Sequence, residues 1–149
     1  MYNVKTIAEW FLAYNNKRRE FDDEDTDMIS NLKLQKLLYY AQGAFLAIKN
    51  TPLFEEKILA WKHGPVVEEM YQEYKANGAD GIVPDEDYNI EISEEDLELL
   101  VEVYDTFGKY SAWGLRQLSH QETPWMETAQ GDVIPLEKIK DYFEKHYVS

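Results

Sequence analysis

Residues 32–48 constrain the fold most, because the helix that their spacing predicts is apolar on two opposite sides. One side carries Leu34, Leu37, Leu38, Ala41, Ala44, Phe45 and Ile48. The other carries Leu32, Tyr39, Gly43 and Leu46, with Gln35 and Lys36 beside them. Such a helix lies at the centre of a bundle, or it packs on its own domain with one side and on a partner with the other. We favour the central position and keep the partner surface as the alternative.

Helical periodicity continues through most of the chain, so we expect an all-α fold, a compact bundle of about six helices. Ser30 or Asn31 can cap the central helix. The other five helices are expected over residues 4–16, over 66–74 after Gly64 and Pro65, after a Ser93 cap, after a Ser111 cap, and after Pro135. Residues 57–62 are either a short extended segment, as in a small hairpin, or a frayed helical turn. The length of 149 residues suits one domain, 1–149.

Two acidic segments account for the whole net charge of −14. Residues 20–27 contain six acids and residues 85–98 contain eight, with no basic residue in either. The rest of the chain is neutral. These segments are either solvated connectors or an acidic rim that steers a basic partner. The charge argues against binding to nucleic acid or to an anionic membrane.

The residue types give little support to catalysis. There is no cysteine, and neither a glycine-rich phosphate loop nor a nucleophile elbow occurs. His63 is expected to be a neutral hydrogen-bonding residue. His120 and Glu122 could supply two metal ligands but have no further ligand pair, so a structural hydrogen bond is the better interpretation. We predict no enzyme, no metal and no cofactor; an enzyme built on His63 and His120 is the weakest alternative.

No apolar stretch is long enough to span a bilayer, and the first residues lack a signal pattern, so a cytoplasmic protein is expected. Aromatic residues are abundant, with 11 Tyr, 4 Trp and 6 Phe. Most of them should fill the core. Tyr39, Tyr40 and Trp61 are the candidates for a partner surface, since Tyr and Trp suit sites that are apolar at one end and polar at the other.

Several motifs together resemble the Panacea domain, a family that includes SocA-like antitoxins and proteins labelled phage-associated. The similarity covers about residues 30–130, and the joint order of the motifs is more specific than any one of them. They are LKLQKLLYYAQG at 32–43, PLF at 52–54, AW at 60–61, GPV at 64–66, Tyr71, LSH at 118–120 and PW at 124–125.

The resemblance implies an antitoxin of a type II toxin-antitoxin system that binds and neutralises a cognate toxin encoded next to it. The alternative is a protease adaptor or phage-encoded interaction protein that delivers a target to a AAA+ protease. A homo-oligomer stays open. The partner-binding candidates are Leu32, Lys33, Gln35, Lys36, Tyr39, Tyr40, Gly43, Trp61 and His63. The expected structural motif residues are Gly64, Pro65, Val66, Tyr71, His120, Pro124 and Trp125.

Overall fold

The computed structural model describes residues 1–21 and 26–148, which are mostly helical and include one two-stranded hairpin. The seven α-helices of this described part are α1 Val4–Phe21, α2 Asn31–Lys49, α3 Glu68–Glu73, α4 Glu94–Phe107, α5 Ala112–His120, α6 Thr123–Met126 and α7 Leu136–His146. The hairpin strands are β1 Ile58–Trp61 and β2 Gly64–Val67, and a 3-10 helix covers Lys75–Asn77. The expectation of a helical bundle with a small hairpin is confirmed.

Helix α2 lies at the centre of the fold. It packs against α1, α3, α4, α5, α7 and strand β2. Most residues of both apolar sides are buried, which confirms the central position, although Ile48 is exposed and Leu32 and Ala44 are partly buried. Ser30 is the N-cap, because its side chain accepts a hydrogen bond from the Lys33 N–H, and Asn50 ends the helix with a φ of 58°.

The hairpin corrects one prediction. Gly64 and Pro65 do not open the third helix: they begin strand β2, which pairs antiparallel with β1 so that Trp61 faces Gly64. The extended interpretation of residues 57–62 is the right one for Ile58–Trp61. Four consecutive buried residues, GPVV, pack into the fold in β2, and α3 begins only at Glu68. The edge of β1 that does not pair with β2 is covered by residues 131–134, whose backbone forms hydrogen bonds with Ile58 and Ala60.

Several boundaries follow the predicted caps, and others differ. The side chains of Ser93 and Ser111 accept hydrogen bonds from the N–H groups of Asp96 and Gly114, which confirms the starts of α4 and α5. Helix α1 continues to Phe21, beyond the predicted residue 16, and the four-residue helix α6 was not predicted.

The second acidic segment lies against α1. The Asp85 N–H donates to Glu9 Oε1, and the Tyr88 hydroxyl is 2.9 Å from Thr6 Oγ1. Residues 22–25 of the first acidic segment lie outside the described residues. In the part of the chain that the structure describes, no helix combines the length and apolarity needed to cross a membrane.

Candidate functional site

A cleft of about 480 Å³ opens between the N-terminal half of α2 and the hairpin. Its walls are mostly apolar and aromatic, with cationic side chains among them, and the volume is in the range of ligand pockets. It is lined by Leu32, Gln35, Lys36, Trp61, Lys62, His63, Gly64, Val66, Tyr71, Gln130 and Gly131.

Gln35 fixes the hairpin onto α2. Its Nε2 donates to Asn31 Oδ1 at 2.9 Å, while its Oε1 accepts the Val67 N–H at 2.9 Å. Both polar atoms of this buried amide are therefore used, as buried polar groups require. A helix side chain supplies an acceptor to strand β2, which explains why this short strand is held in place.

Gly64 allows the hairpin to approach α2 closely. Its φ is +109°, a conformation that side-chain-bearing residues rarely adopt. A Cβ atom here would lie 2.6 Å from Lys36 Cε and 3.0 Å from Ser119 Oγ. The turn thus needs glycine for its backbone conformation and for space.

Lys36 forms part of the cleft floor. Its Nζ donates to the Pro65 carbonyl oxygen at 2.9 Å, and the residue is 1% exposed. Burial, assisted by the nearby positive charge of Arg116, lowers the pKa of Lys36 to about 7. The cleft therefore has a cation at its floor whose charge depends on its surroundings near neutral pH.

Trp61 forms an aromatic wall. Its ring meets Tyr71 edge-on at 5.0 Å between centroids, and its backbone oxygen accepts a hydrogen bond from Trp125 Nε1 at 2.8 Å. The Trp125 ring in turn stacks on His120 at 3.9 Å. The motif residues Trp125 and His120 therefore hold the backbone of Trp61 in position.

The rim of the cleft is basic. Arg116 Nε donates to His63 Nδ1 at 3.0 Å, and the Arg116 guanidinium lies 4.2 Å from the centroid of the exposed Trp113 ring. Desolvation and the charges of Arg116, Lys62 and Lys36 lower the pKa of His63. This direction agrees with the expected neutral histidine, although the causes are desolvation and the neighbouring cations and not a helix terminus, since His63 lies in the hairpin turn.

His120 is partly buried, and burial lowers its pKa, while a backbone hydrogen bond with Lys62 acts in the opposite direction. That bond agrees with the structural interpretation of this residue. Its Nε2 is buried without a hydrogen-bond partner in the described residues. Across residues 1–21 and 26–148, no three His, Asp or Glu side chains are grouped so that they could hold a metal ion.

Only some of the partner-binding candidates meet at this cleft. Leu32, Gln35, Lys36, Trp61 and His63 line it. The other four candidates, Lys33, Tyr39, Tyr40 and Gly43, are buried elsewhere on α2.

Lys33 Nζ donates to the Gly108 carbonyl oxygen at 2.6 Å, and burial lowers the pKa of Lys33. Tyr39 and Tyr40 have no exposed surface. A Cβ on Gly43 would lie 2.4 Å from the Phe143 ring, so this glycine allows α2 and α7 to approach each other. Tyr39, Tyr40 and Gly43 are therefore buried inside the protein and not presented on its surface.

Glu122 explains the burial of the tyrosine pair. Its carboxylate accepts hydrogen bonds from Tyr39 at 2.8 Å, from Tyr40 at 3.1 Å and from Tyr147. Burial raises the pKa of Glu122, and the three hydroxyl donors oppose that rise. We call Glu122, Tyr39, Tyr40 and Tyr147 the tyrosine cage.

Sequence reasoning missed several of these residues. Arg116, Lys62, Gln130 and Gly131 were not candidates for the cleft, because no local motif links residues of α5, the hairpin turn and the segment after α6. The role of Glu122 in the cage was missed for the same reason, since its partner Tyr39 is 83 positions away. The sequence feature that could have indicated a basic rim is the pair of basic residues, Lys62 and His63, next to Trp61.

Comparisons with known proteins agree with the motifs. The family model described as "Antitoxin SocA-like, Panacea domain" matches residues 34–126. The chain is also 38% identical, over 147 aligned residues, to the protein named Antitoxin SocA from Caulobacter vibrioides (strain NA1000 / CB15N), an alignment that covers 81% of this chain and 75% of that protein. No solved structure matches the chain. The predicted resemblance is confirmed, and the chain belongs to the Panacea-domain family of SocA-like antitoxins.

Proposed function

We propose that this chain is the antitoxin of a type II toxin-antitoxin system and neutralises its toxin by direct binding at the cleft. The observation that carries this proposal is the cleft itself, which brings together five of the predicted partner-binding residues: Leu32, Gln35, Lys36, Trp61 and His63. Four of these lie within the residues matched by the antitoxin family model. An antitoxin-type function agrees with the relative's name, Antitoxin SocA.

The cleft is an anchor and not the whole interface. A stable protein complex buries roughly 800 Å² on each partner, more than one cleft provides. The surface continues from the rim through Arg116 to Trp113, whose side chain is 54% exposed. Tryptophan, tyrosine and arginine are the residue types that contribute most to binding at interfaces, and all three occur here.

The site is suited to binding and not to catalysis. His63 is engaged by Arg116, and His120 is stacked on Trp125. Neither histidine contacts a nucleophilic side chain in the hydrogen bonds of the described residues. An antitoxin that acts by covering its toxin needs no such group.

The test is co-expression with the product of the adjacent gene, with growth, complex formation and toxin abundance as readouts. We expect rescue of growth and a stoichiometric complex. Rescue with a fall in toxin that depends on a AAA+ protease would instead support the adaptor alternative. Absence of any toxicity or partner would contradict both.

A variant pair locates the surface. Trp61→Ala removes the aromatic wall and should abolish rescue, whereas Tyr110→Ala removes an exposed aromatic side chain outside the cleft and should rescue like the natural chain. Circular dichroism must show both variants folded. Equal rescue by the two variants would exclude the cleft as the toxin-binding site.

A further inference from the structure

The charge of the cleft is opposite to that of the protein. The chain carries a net charge of −14, yet the described residues that line the cleft include Lys36, Lys62 and His63 and no Asp or Glu. Arg116 adds a further cation at the rim through its bond to His63. A local basic site favours an anionic group of a ligand, whereas the net negative charge of the whole protein repels acidic proteins at long range.

Lys36 has unused capacity to donate hydrogen bonds. An ammonium group has three donors, and the described residues give Lys36 one acceptor, the Pro65 carbonyl oxygen. Burial lowers the pKa of Lys36, and the positive charge of Arg116 lowers it further. A carboxylate in the cleft would offset both effects.

Two backbone N–H groups beside the cleft are already engaged inside the protein. The Val67 N–H donates a hydrogen bond to Gln35 Oε1, and the Gly131 N–H donates one to the Ala60 carbonyl oxygen. Capture of a chain-terminal carboxylate commonly uses free backbone N–H groups. Here the donors are side chains, which suits a carboxylate on a side chain of a segment that continues past the cleft.

We propose that the cleft binds an internal segment of the partner protein in which an Asp or Glu side chain lies beside a large apolar side chain. The carboxylate lies over Lys36, between the rim cations Lys62 and Arg116. The apolar side chain packs against Trp61 and Tyr71. This inference rests on the proposed function for the identity of the occupant as a partner protein, and it adds the chemistry by which that partner is recognised.

The experiment uses the full chain and a randomised peptide library whose termini are both blocked. Peptides retained by the natural protein are sequenced, and the affinity of the most enriched peptide is measured by fluorescence anisotropy. We expect an acidic residue next to Leu, Phe or Trp. Lys36→Met should weaken binding roughly tenfold or more, the typical effect of a charge-assisted hydrogen bond, and Lys145→Met on α7, whose side chain is 70% exposed, should not.

Two features keep the result decisive. If Lys36→Met fails to fold, the double variant Lys62→Met with Arg116→Met tests the same carboxylate from the rim, and its binding should lose most of its salt dependence. Selection of peptides without acidic residues, equal affinity of all variants, or no retained peptide would overturn the inference. Because no toxin is used, this result is independent of co-expression: rescue without acidic peptide binding overturns this inference alone, and acidic peptide binding without a toxin overturns only the proposed function.

Discussion

Two neighbouring parts of α2 treat buried polar groups in opposite ways. At Tyr39 and Tyr40 the helix faces the tyrosine cage, where Glu122 accepts three hydroxyl donors inside the protein. At Lys36, one helical turn earlier, the buried ammonium has one backbone acceptor and borders a cleft. The same helix therefore passes from closed core to open site within about one turn.

The difference lies in how completely each charge is paired. Burial favours the neutral form of both groups, so it raises the pKa of Glu122 and lowers the pKa of Lys36. The anion receives hydrogen bonds from internal donors, whereas the cation has another cation, Arg116, as its neighbour. A closed network stabilises the fold, and an incompletely paired charge beside a cleft indicates a place for a ligand.

The largest effect is expected from opening the tyrosine cage with Glu122→Ala. The substitution leaves the hydroxyls of Tyr39 and Tyr40 buried without their acceptor, and we expect a loss of about 3 kcal/mol in the free energy of unfolding. Urea denaturation measures it. Glu127→Ala is the control, because the Glu127 side chain is 61% exposed, and it should change stability by less than about 0.5 kcal/mol. Equal losses in the two variants would show that the cage does not stabilise the fold.

The next effect concerns the contact between the hairpin and Lys36. Gly64 and Gly131 both have positive φ, +109° and +93°, but only the Cβ of an alanine at Gly64 would meet other atoms within 4 Å. Gly64→Ala should therefore lower the free energy of unfolding by about 2 kcal/mol more than Gly131→Ala, since the first substitution adds a steric clash to the backbone strain. Urea denaturation measures both values. Equal losses in the free energy of unfolding would mean that the close packing of the hairpin on Lys36 is unimportant for stability.

A smaller and pH-dependent effect is expected at Lys36. The pKa of about 7 in the folded protein lies below the ordinary lysine pKa of 10.5, so between these values the unfolded chain binds more protons and stability rises with pH. The natural chain should gain up to about 1 kcal/mol per pH unit relative to Lys36→Met between pH 7 and 9. Urea denaturation at pH 7, 8 and 9 measures the difference. Lys145→Met should show no such change relative to the natural chain, and a pH-independent Lys36→Met difference would contradict the burial of a titrating ammonium.

Sequence patterns predicted the closed part of the fold better than the open part. The apolar period of α2 and the caps Ser30, Ser93 and Ser111 follow from local chemistry, and all are present. The pair Gly64 and Pro65 suits a helix start as well as a strand. What decides for the strand is tertiary: pairing with β1 and the acceptor that Gln35 supplies to Val67.

The candidate site shows the same limit. Five of the nine partner-binding candidates line the cleft, and all five come from the motifs around Lys36 and Trp61, because a helix side and a turn are short-range features. The periodicity placed Tyr39 on the same side as Leu32, yet one is fully buried and the other lines the cleft. Glu122 and Phe143, both far along the chain, contact Tyr39, and no spacing rule predicts such contacts.

The smallest effect separates the two parts of α2. Tyr147→Phe removes one of the three donors to Glu122, and since Tyr147 is 39% exposed we expect a loss of about 1 kcal/mol or less in urea denaturation. The pKa of Glu122 should rise further, because the Tyr147 hydrogen bond holds it down. Tyr110→Phe, at an equally exposed tyrosine outside the cage, is the control and should leave both quantities unchanged.

Tyr147→Phe must leave the cleft intact if the tyrosine cage and the cleft are independent. Its affinity for the acidic peptide selected on the natural chain should stay within roughly twofold, as expected for sites that share no partner. A loss comparable with that of Lys36→Met would show that the cage and the cleft are coupled through α2. Binding at the cleft would then depend on how firmly α7 closes the other end, and the open and closed parts of the helix would act as one unit.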